Sequence, residues 1–411
     1  MPKINGERLL NDLHHLRSIG AFETGVIRPA FSAKDMEARH WLKGQYETAG
    51  LDTTIDGVGI VLGKSRNPGP ALLVGSHSDT QPTGGWLDGA LGVIYGLETV
   101  RALAEDPATA HLAVDAVSWQ DEESRFFGCM GSSSFCGLPV PQPGDGAVDK
   151  DGVSLDDALR EAGLEGVARL QVDKERYIGF LEAHIEQGPH LEDDGNTIGV
   201  VTSIVGLRGK VFTFTGQQNH AGTTMMAGRS DAATALYALA NAINEEFPKV
   251  AGPRSVWTMG RAHIHPGAPS IVPGRAELEL QFRDISIDVL DAMDATADRL
   301  VTEINARGGA TVRTEPSRVQ INPAHMDESF RAHFSAAAES HAPGQWVDMQ
   351  SGAFHDAGIV CSALPCGLMF IPSIGGISHD FVEDSHAEDI VRGCSVFADA
   401  TASIVLAALT S

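Results

Sequence analysis

Hydrophobic and polar positions along the first 120 residues alternate between two spacings. Ser32 stands before a helical pattern that runs through Met36, Trp41 and Leu42 to Gly50, a stop signal. A hairpin-like pair follows around Asp56-Gly57, and then the short apolar run Leu72–Val74, which reads as a buried strand. Gly89–Ala104 is apolar at helical spacing, and Leu112–Trp119 is again a strand. Strands alternating with helices predict an α/β domain whose mixed sheet is flanked by helices. From about residue 208 the rhythm changes. Lys210–Gly216, Ser255–Ile264, Ala276–Arg283 and Ala310–Val319 read as strands, Ser230–Glu246 and Ile287–Arg307 as helices. That β-α-β-β-α-β order predicts a ferredoxin-like domain over 208–322, inserted into a larger one made of 1–207 and 323–411. The α/β pattern then resumes with a helix at Glu328–Ser340, a strand at Gly367–Ile371 and a long helix from His386.

Polar clusters follow the predicted buried strands. GSHSDTQPTGGWLDG (75–89) presents His77, Asp79 and Asp88, and Trp119 is followed by Gln120-Asp121-Glu122-Glu123. Glu182-Ala183-His184-Ile185-Glu186-Gln187 ends abruptly at Gly188-Pro189, and Gly367–Ile371 leads into Pro372-Ser373-Ile374-Gly375-Gly376-Ile377-Ser378-His379. Each has an ordinary reading taken singly: a turn, a solvated acidic loop, a satisfied core histidine. Four such ends together supply imidazoles and carboxylates without thiolates, a donor set suited to Zn²⁺, Mn²⁺, Co²⁺ or Ni²⁺. A carboxylate such as Asp88 can bridge two ions, and Asp79 can accept the second N–H of His77. Adjacent Glu122 and Glu123 point in different directions, so one can ligate while the other acts as a base. In the inserted domain His220, in Asn219-His220-Ala221-Gly222-Thr223-Thr224, falls in a polar turn and is expected to be exposed.

Composition narrows the partners. The 411 residues carry 30 Lys+Arg against 54 Asp+Glu, a net charge of −24, which argues against nucleic acid and anionic membranes. The start has no apolar stretch of signal-peptide length and no run of about 18 uninterrupted apolar residues occurs, so a cytoplasmic protein is expected. Five cysteines without CxxC spacing point to free thiols.

The chain resembles the amidase/hydantoinase/carbamoylase branch of the dinuclear metallo-aminoacylase and carboxypeptidase clan, which includes N-carbamoyl-L-amino-acid hydrolases, β-ureidopropionases and allantoate amidohydrolases. GSHSDTQPTGGWLDG, WQDEESRFFG, EAHIEQGPHLE, NHAGTT, SGAFHDAG and FIPSIGGISHD carry the resemblance, in the family's order, from about residue 30 to 405. It implies two divalent ions, one held by His77 and His184, the other by Glu123 and His379, with Asp88 bridging. Asp79 would orient His77, and Glu122 would be the general base. His220 would stabilise the oxyanion, in this family usually at the partner subunit's active site, so the inserted domain would be a lid and a homodimer contact. Gln187, Arg283, Ser270 and Gly352 fall at substrate positions, Arg283 for a substrate carboxylate. The implied reaction is hydrolysis of an N-carbamoyl-L-amino acid or related ureido acid; an N-acyl-amino-acid hydrolase or dipeptidase is the alternative.

Several residues depart from the family pattern. Ser270 stands where Asn is usual, Gln281 where Asp is common, and Met225 replaces a Pro after HAGTT. Ser124 and Phe354 each replace a Gly. The reaction class survives these changes better than the substrate does. His263 and His265 alternate along a strand of the inserted domain, where surface or packing roles are expected.

Overall fold

The structure is a computed structural model and describes residues 2–317 and 320–410. The chain divides into two compact units, Met1–Thr202 with His325–Ser411, and Ser203–Ala324; the sequence pattern had put the divisions at 208 and 322. In chain order the longer strands are β1 (Asp52–Ile55), β2 (Val61–Lys64), β3 (Ala71–His77), β4 (Ala113–Trp119), β5 (Tyr177–Ile185) and β6 (Ile198–Ile204). They continue with β7 (Gly206–Thr215), β8 (Val256–His265), β9 (Arg275–Asp284), β10 (Thr311–Pro316), β11 (Trp346–Ser351) and β12 (Cys366–Ile371). Val319, expected to end the strand at β10, lies outside the described residues.

The first unit is built on a large mixed sheet. Its centre is four adjacent parallel strands in the order β12-β5-β3-β4, and antiparallel neighbours continue it through β2 and β1 on one side and β6 on the other. β3 and β4 are buried at every residue, which is why they read as continuous apolar runs rather than alternating ones. Helices α1 (Gly6–Ser18), α2 (Ala33–Thr48) and α3 (Ala90–Glu105) flank this sheet. Ser32 caps α2 by accepting the Asp35 N–H, as the pattern predicts. α3 is apolar almost all round, and Leu91, Ile94, Leu97 and Val100 are buried in the core with Leu72, Val74 and Leu181. Each such side chain contributes roughly 1.5–3 kcal/mol by leaving water.

Short helices α4 (Met130–Phe135) and α5 (Leu155–Glu161) lie in the crossover between β4 and β5. α6 (Ala232–Glu246) and α7 (Ile287–Ala306) belong to the second unit, and α8 (Glu328–His341), α9 (Asp356–Val360) and α10 (Ala387–Thr410) complete the first. α10 has mean hydropathy 1.5 over 18 residues, enough by length and composition to cross a membrane, yet it packs on α3 and α8 with Val396, Phe397, Ala400 and Ile404 buried. Its apolarity is that of a core helix.

The second unit has the element order β7-α6-β8-β9-α7-β10 and an antiparallel sheet ordered β8-β9-β7-β10. Phe212, Phe214, Leu278 and Leu280 of the sheet share a core with Leu236 and Leu239 of α6 and Leu290 and Leu300 of α7. The five cysteines are free thiols.

Candidate metal centre

All four polar clusters emerge at the carboxyl ends of the four adjacent parallel strands, where open α/β sheets place their ligands. His77 is the last residue of β3, His184 the penultimate residue of β5, and the loops after β4 and β12 carry Glu122-Glu123 and His379. Asp88 sits one residue before the cap of α3. Gly89 (φ +66°) is required there, since a Cβ would lie 2.4 Å from the His77 ring. Asp121, Ser124, Gln187 and His379 also take positive φ without being glycine, at +55°, +67°, +59° and +55°. Such backbone costs free energy and concentrates where side chains must be aimed.

Asp88 is the centre of the arrangement. Its Oδ1 lies 3.0 Å from His184 Nε2 and 3.7 Å from His77 Nε2, while its Oδ2 lies 3.2 Å from His379 Nε2. Among the described residues two groups of three offer ligand atoms within 4.8 Å of one another: His77, Asp88 and His184, and Asp88, Glu123 and His379. Glu122 Oε2 is 3.7 Å from His77 Nε2, and Gln187 Nε2 donates to Asp88 Oδ2 at 3.2 Å. The expected ligands, Glu122 and Gln187 thus converge in the first unit.

The imidazoles are oriented by main chain. His77 Nδ1 meets the Asp79 carbonyl at 3.1 Å and His184 Nδ1 the Ile185 carbonyl at 2.9 Å, so each Nδ1–H donates and each Nε2 is turned toward Asp88. The expectation that the Asp79 carboxylate accepts from His77 differs in detail. That carboxylate is 3.9 Å away, and its Oδ2 instead accepts the Glu123 N–H at 3.2 Å. Asp79 therefore ties the Glu122-Glu123 loop to β3.

The donors of this centre fit a divalent ion. Glu123 Oε1 is buried without a hydrogen-bond partner, 3.8 Å from His379 Nε2, while Oε2 is held by Gln81 at 2.6 Å. An orphaned buried carboxylate oxygen is costly unless a cation meets it. Burial and the neighbouring Glu123 and Asp356 charges push the Glu122 carboxyl well up; burial and Asp88 do the same to Glu123. Burial takes His77 down to about 4, whereas Asp88 outweighs burial at His184 and holds it up at about 9. Several acidic groups with little compensating positive charge, plus borderline imidazole donors, fit divalent Zn, Mn, Co or Ni. Cys129 Sγ lies 3.6 Å from Glu122 Oε1, but burial pushes its thiol well up, so it offers no thiolate.

Three supporting residues escaped the sequence reading. Glu383, 1 % exposed, accepts the Leu87 and Asp88 N–H groups at 3.2 and 3.0 Å and the Ser378 hydroxyl at 2.8 Å, so it fastens the Asp88 loop to the His379 loop. Gln81 holds Glu123, and His355 stacks edge-on against His184 with centroids 4.6 Å apart. Glu383 follows an Asp-Phe-Val stretch that reads as a polar loop, so its spacing gave no signal. Gly352 is exposed and Phe354 half-buried just before His355.

The remaining expected residues lie in the second unit. His220 is exposed, and the Gly222 and Thr223 N–H groups donate to its Nδ1 at 3.1 and 3.2 Å, leaving Nε2–H as a donor. Ser270 is exposed beside it, with its carbonyl accepting the Ala221 N–H at 2.9 Å. Arg283 is half-buried on β9 and donates to Gln281 Oε1 at 3.3 Å; burial lowers its pKa. Met225 is 79 % exposed, and His263 and His265 are exposed on β8.

The model of the peptidase family M20/M25/M40 matches residues 73–403, which contain every one of these clusters. The chain belongs to this family. The M20/M25/M40 family is metal-dependent, and the His77-Asp88-His184 group is a place where an ion can bind. The chain is 34% identical over 404 residues to an N-carbamoyl-L-amino acid amidohydrolase of Geobacillus stearothermophilus, covering 96% of this chain and 97% of that one. It is 31% identical to an allantoate amidohydrolase of Bacillus subtilis, covering 91% and 92%. A solved amidase of the hydantoinase/carbamoylase family from Burkholderia phymatum superposes with TM-score 0.92 at 48% identity, covering 99% of both chains. The chain is thus an amidohydrolase of the M20/M25/M40 family, with the mixed α/β fold of its solved relatives.

Proposed function

We propose that this chain hydrolyses the C–N bond of an N-carbamoyl-L-amino acid or a related ureido acid, releasing amino acid, CO₂ and ammonia, with two divalent ions. The observation that carries the reading is the division of Asp88: one oxygen faces His77 and His184, the other His379 and Glu123, beside Glu122. His77 and His184 would hold one ion, Glu123 and His379 the other, and Asp88 both. Bound ions supply Lewis acidity and a water activated near neutral pH. Glu122 takes the proton of the attacking water and passes it to the leaving nitrogen, a role worth ~10²–10⁴-fold. Gln187, an amide donor at Asp88 Oδ2, contacts the ureido group. His220 presents Nε2–H to the developing oxyanion, a contribution on the order of 3–4 kcal/mol. Arg283 binds the substrate carboxylate, and Ser270 and Gly352 are further substrate contacts; a guanidinium pairs with a carboxylate through two parallel bonds. The unit 203–324 would serve as lid and homodimer contact, and the protein would act in the cytoplasm.

The test is ammonia release from N-carbamoyl-L-amino acids, N-carbamoyl-β-alanine and allantoate after loading with Mn²⁺, Co²⁺, Zn²⁺ or Ni²⁺. Turnover of at least one is expected; inactivity on all three sinks the substrate class. Ser270 and Phe354, which replace the usual Asn and Gly, favour keeping one alternative in the same assay. Hydrolysis of N-acyl amino acids or dipeptides, with none of ureido acids, would select it.

A further inference from the structure

The two groups of three around Asp88 differ in their donors. His77, His184 and Asp88 Oδ1 offer two nitrogens and one oxygen, whereas His379, Asp88 Oδ2 and Glu123 offer one nitrogen and as many as three oxygens. Imidazole suits Zn²⁺, while oxygen-rich sets of higher coordination number suit Mn²⁺ and Mg²⁺. The number of oxygens that Glu123 gives therefore decides which ion the second group favours.

That number is set from outside the group. Gln81 Nε2 donates to Glu123 Oε2 at 2.6 Å and faces the Glu123 carbonyl at 3.5 Å, so its N–H groups meet acceptors of one residue. A hydrogen bond to an ionised carboxylate is roughly twice as strong as one between neutral groups. The other oxygen, Oε1, is buried, has no hydrogen-bond partner among the described residues, and lies 3.8 Å from His379 Nε2. The main chain of Glu123 is held separately, since its N–H donates to Asp79 Oδ2 at 3.2 Å. Gln81 is itself anchored. The Thr80 hydroxyl donates to the Gln81 carbonyl at 2.9 Å and accepts the Arg28 N–H at 2.9 Å, and buried Arg28 donates to the Ser78 carbonyl at 2.8 Å. The stretch 78–81 is thus fixed, and the reach of the amide to Glu123 with it.

We infer that Gln81 is a positioning residue that selects the second ion: by occupying Glu123 Oε2 it leaves Oε1 as the one oxygen this carboxylate gives, which lowers the coordination number at the Asp88-Glu123-His379 group and favours Zn²⁺ over Mn²⁺ there. The inference rests on the proposed pair of ions, since it concerns the one held by Glu123. The first group is outside its influence, because the Asp79 and Ile185 carbonyls orient His77 and His184. A partner one bond removed from a ligand typically changes metal affinity ~10–100-fold when it is lost.

The experiment strips the protein of metal and equilibrates it with fixed Mn²⁺ and rising Zn²⁺, counting the ions bound per chain by elemental analysis. It compares the wild type with Gln81→Leu, which fills similar space without an N–H, and Gln81→Asn, whose amide falls short by one methylene. Zn²⁺ is expected to displace Mn²⁺ in two steps in the wild type. In both variants one step should move to ~10–100-fold higher Zn²⁺ while the other stays in place. Reloading with Co²⁺ adds a spectroscopic signature, because the visible band of Co²⁺ weakens as its coordination number rises. The band per ion should be weaker in both variants at equal stoichiometry. If Gln81 only fills space, folded Gln81→Leu behaves as the wild type, and that result overturns the inference. Equal movement of both steps also overturns it, and either outcome leaves the two-ion reaction standing. A wild type that binds fewer than two ions per chain overturns the inference together with that reading. Melting temperature identifies a misfolded variant, and the other then carries the comparison. If neither folds, the Co²⁺ band of the wild type decides: an intense four-coordinate band supports the inference, and weak six-coordinate bands alone overturn it.

Discussion

Gly89 and Glu122 bracket what a single residue can do at this centre. Gly89 touches no substrate, but a Cβ there would collide with the His77 ring at 2.4 Å. Gly89→Ala is therefore expected to displace His77, reduce bound metal per chain below the wild-type value, and lower activity with it; elemental analysis after dialysis checks this. Glu122→Gln should behave in the opposite way. The amide keeps the volume and leaves the imidazoles and Asp88 in place, so metal content stays at the wild-type level while kcat falls by ~10²–10⁴-fold. Near-normal turnover in Glu122→Gln would remove it from the role of base. The residues that converge here were visible in the sequence because their polar clusters follow recognisable apolar strands. Glu383 and Gln81 were not, since their partners are a main-chain N–H of residue 88 and a carboxylate 42 positions away, pairings that only the fold creates.

At the scale of elements, α2 does more than cover the sheet. It carries Asp35 and Arg39, both fully buried, paired at 3.0 Å. Arg39 also donates to the Gly59 and Trp119 carbonyls at 2.9 Å each and lies 3.8 Å from Asp79, while Gln120 donates to Asp35 at 2.8 Å. The helix thus fixes the point where β4 turns into the Glu122 loop. Removing one partner of a buried pair leaves the other uncompensated and costs about 3–5 kcal/mol. Arg39→Leu is expected to lower unfolding free energy in urea by about that amount, with an unchanged slope. The placement of α2 was plain from Ser32, Met36, Leu42 and Gly50, because cap, periodicity and stop all agree. The charged pair was hidden, since helical spacing alone gives Asp35 and Arg39 the look of a surface pair. Strand ends behaved similarly: β7 runs from Gly206 and α6 starts at Ala232, a few residues from the expected Lys210 and Ser230, because pairing with β9 and the Asp231 cap set the limits.

For the whole molecule, the uncompensated carboxylates at the centre link metal to stability. An ion that binds the folded chain and not the unfolded one stabilises it by mass action. Exhaustive chelation should lower the melting temperature by several degrees, and Mn²⁺, Co²⁺, Zn²⁺ or Ni²⁺ should restore it where Mg²⁺ at the same concentration does so less; scanning calorimetry reads both. The rhythm of the sequence changes at about residue 208 and the second unit spans Ser203–Ala324, while α10 shows where composition misleads. Its hydropathy is that of a membrane span, and only its burial against α3 and α8 explains it.

The order β12-β5-β3-β4 has one more consequence. Because His77 and His184 lie at the ends of the neighbouring strands β3 and β5, their lateral spacing is inherited from the ~4.8 Å repeat of backbone hydrogen bonding. That repeat is a constant of the peptide group and does not depend on which side chains fill the core. Affinity for one ion over another should then be insensitive to core substitutions that cost several kcal/mol of stability, and sensitive to a one-residue insertion within β3, β4, β5 or β12. The sheet acts as a ruler, and the core only decides how firmly the ruler is held.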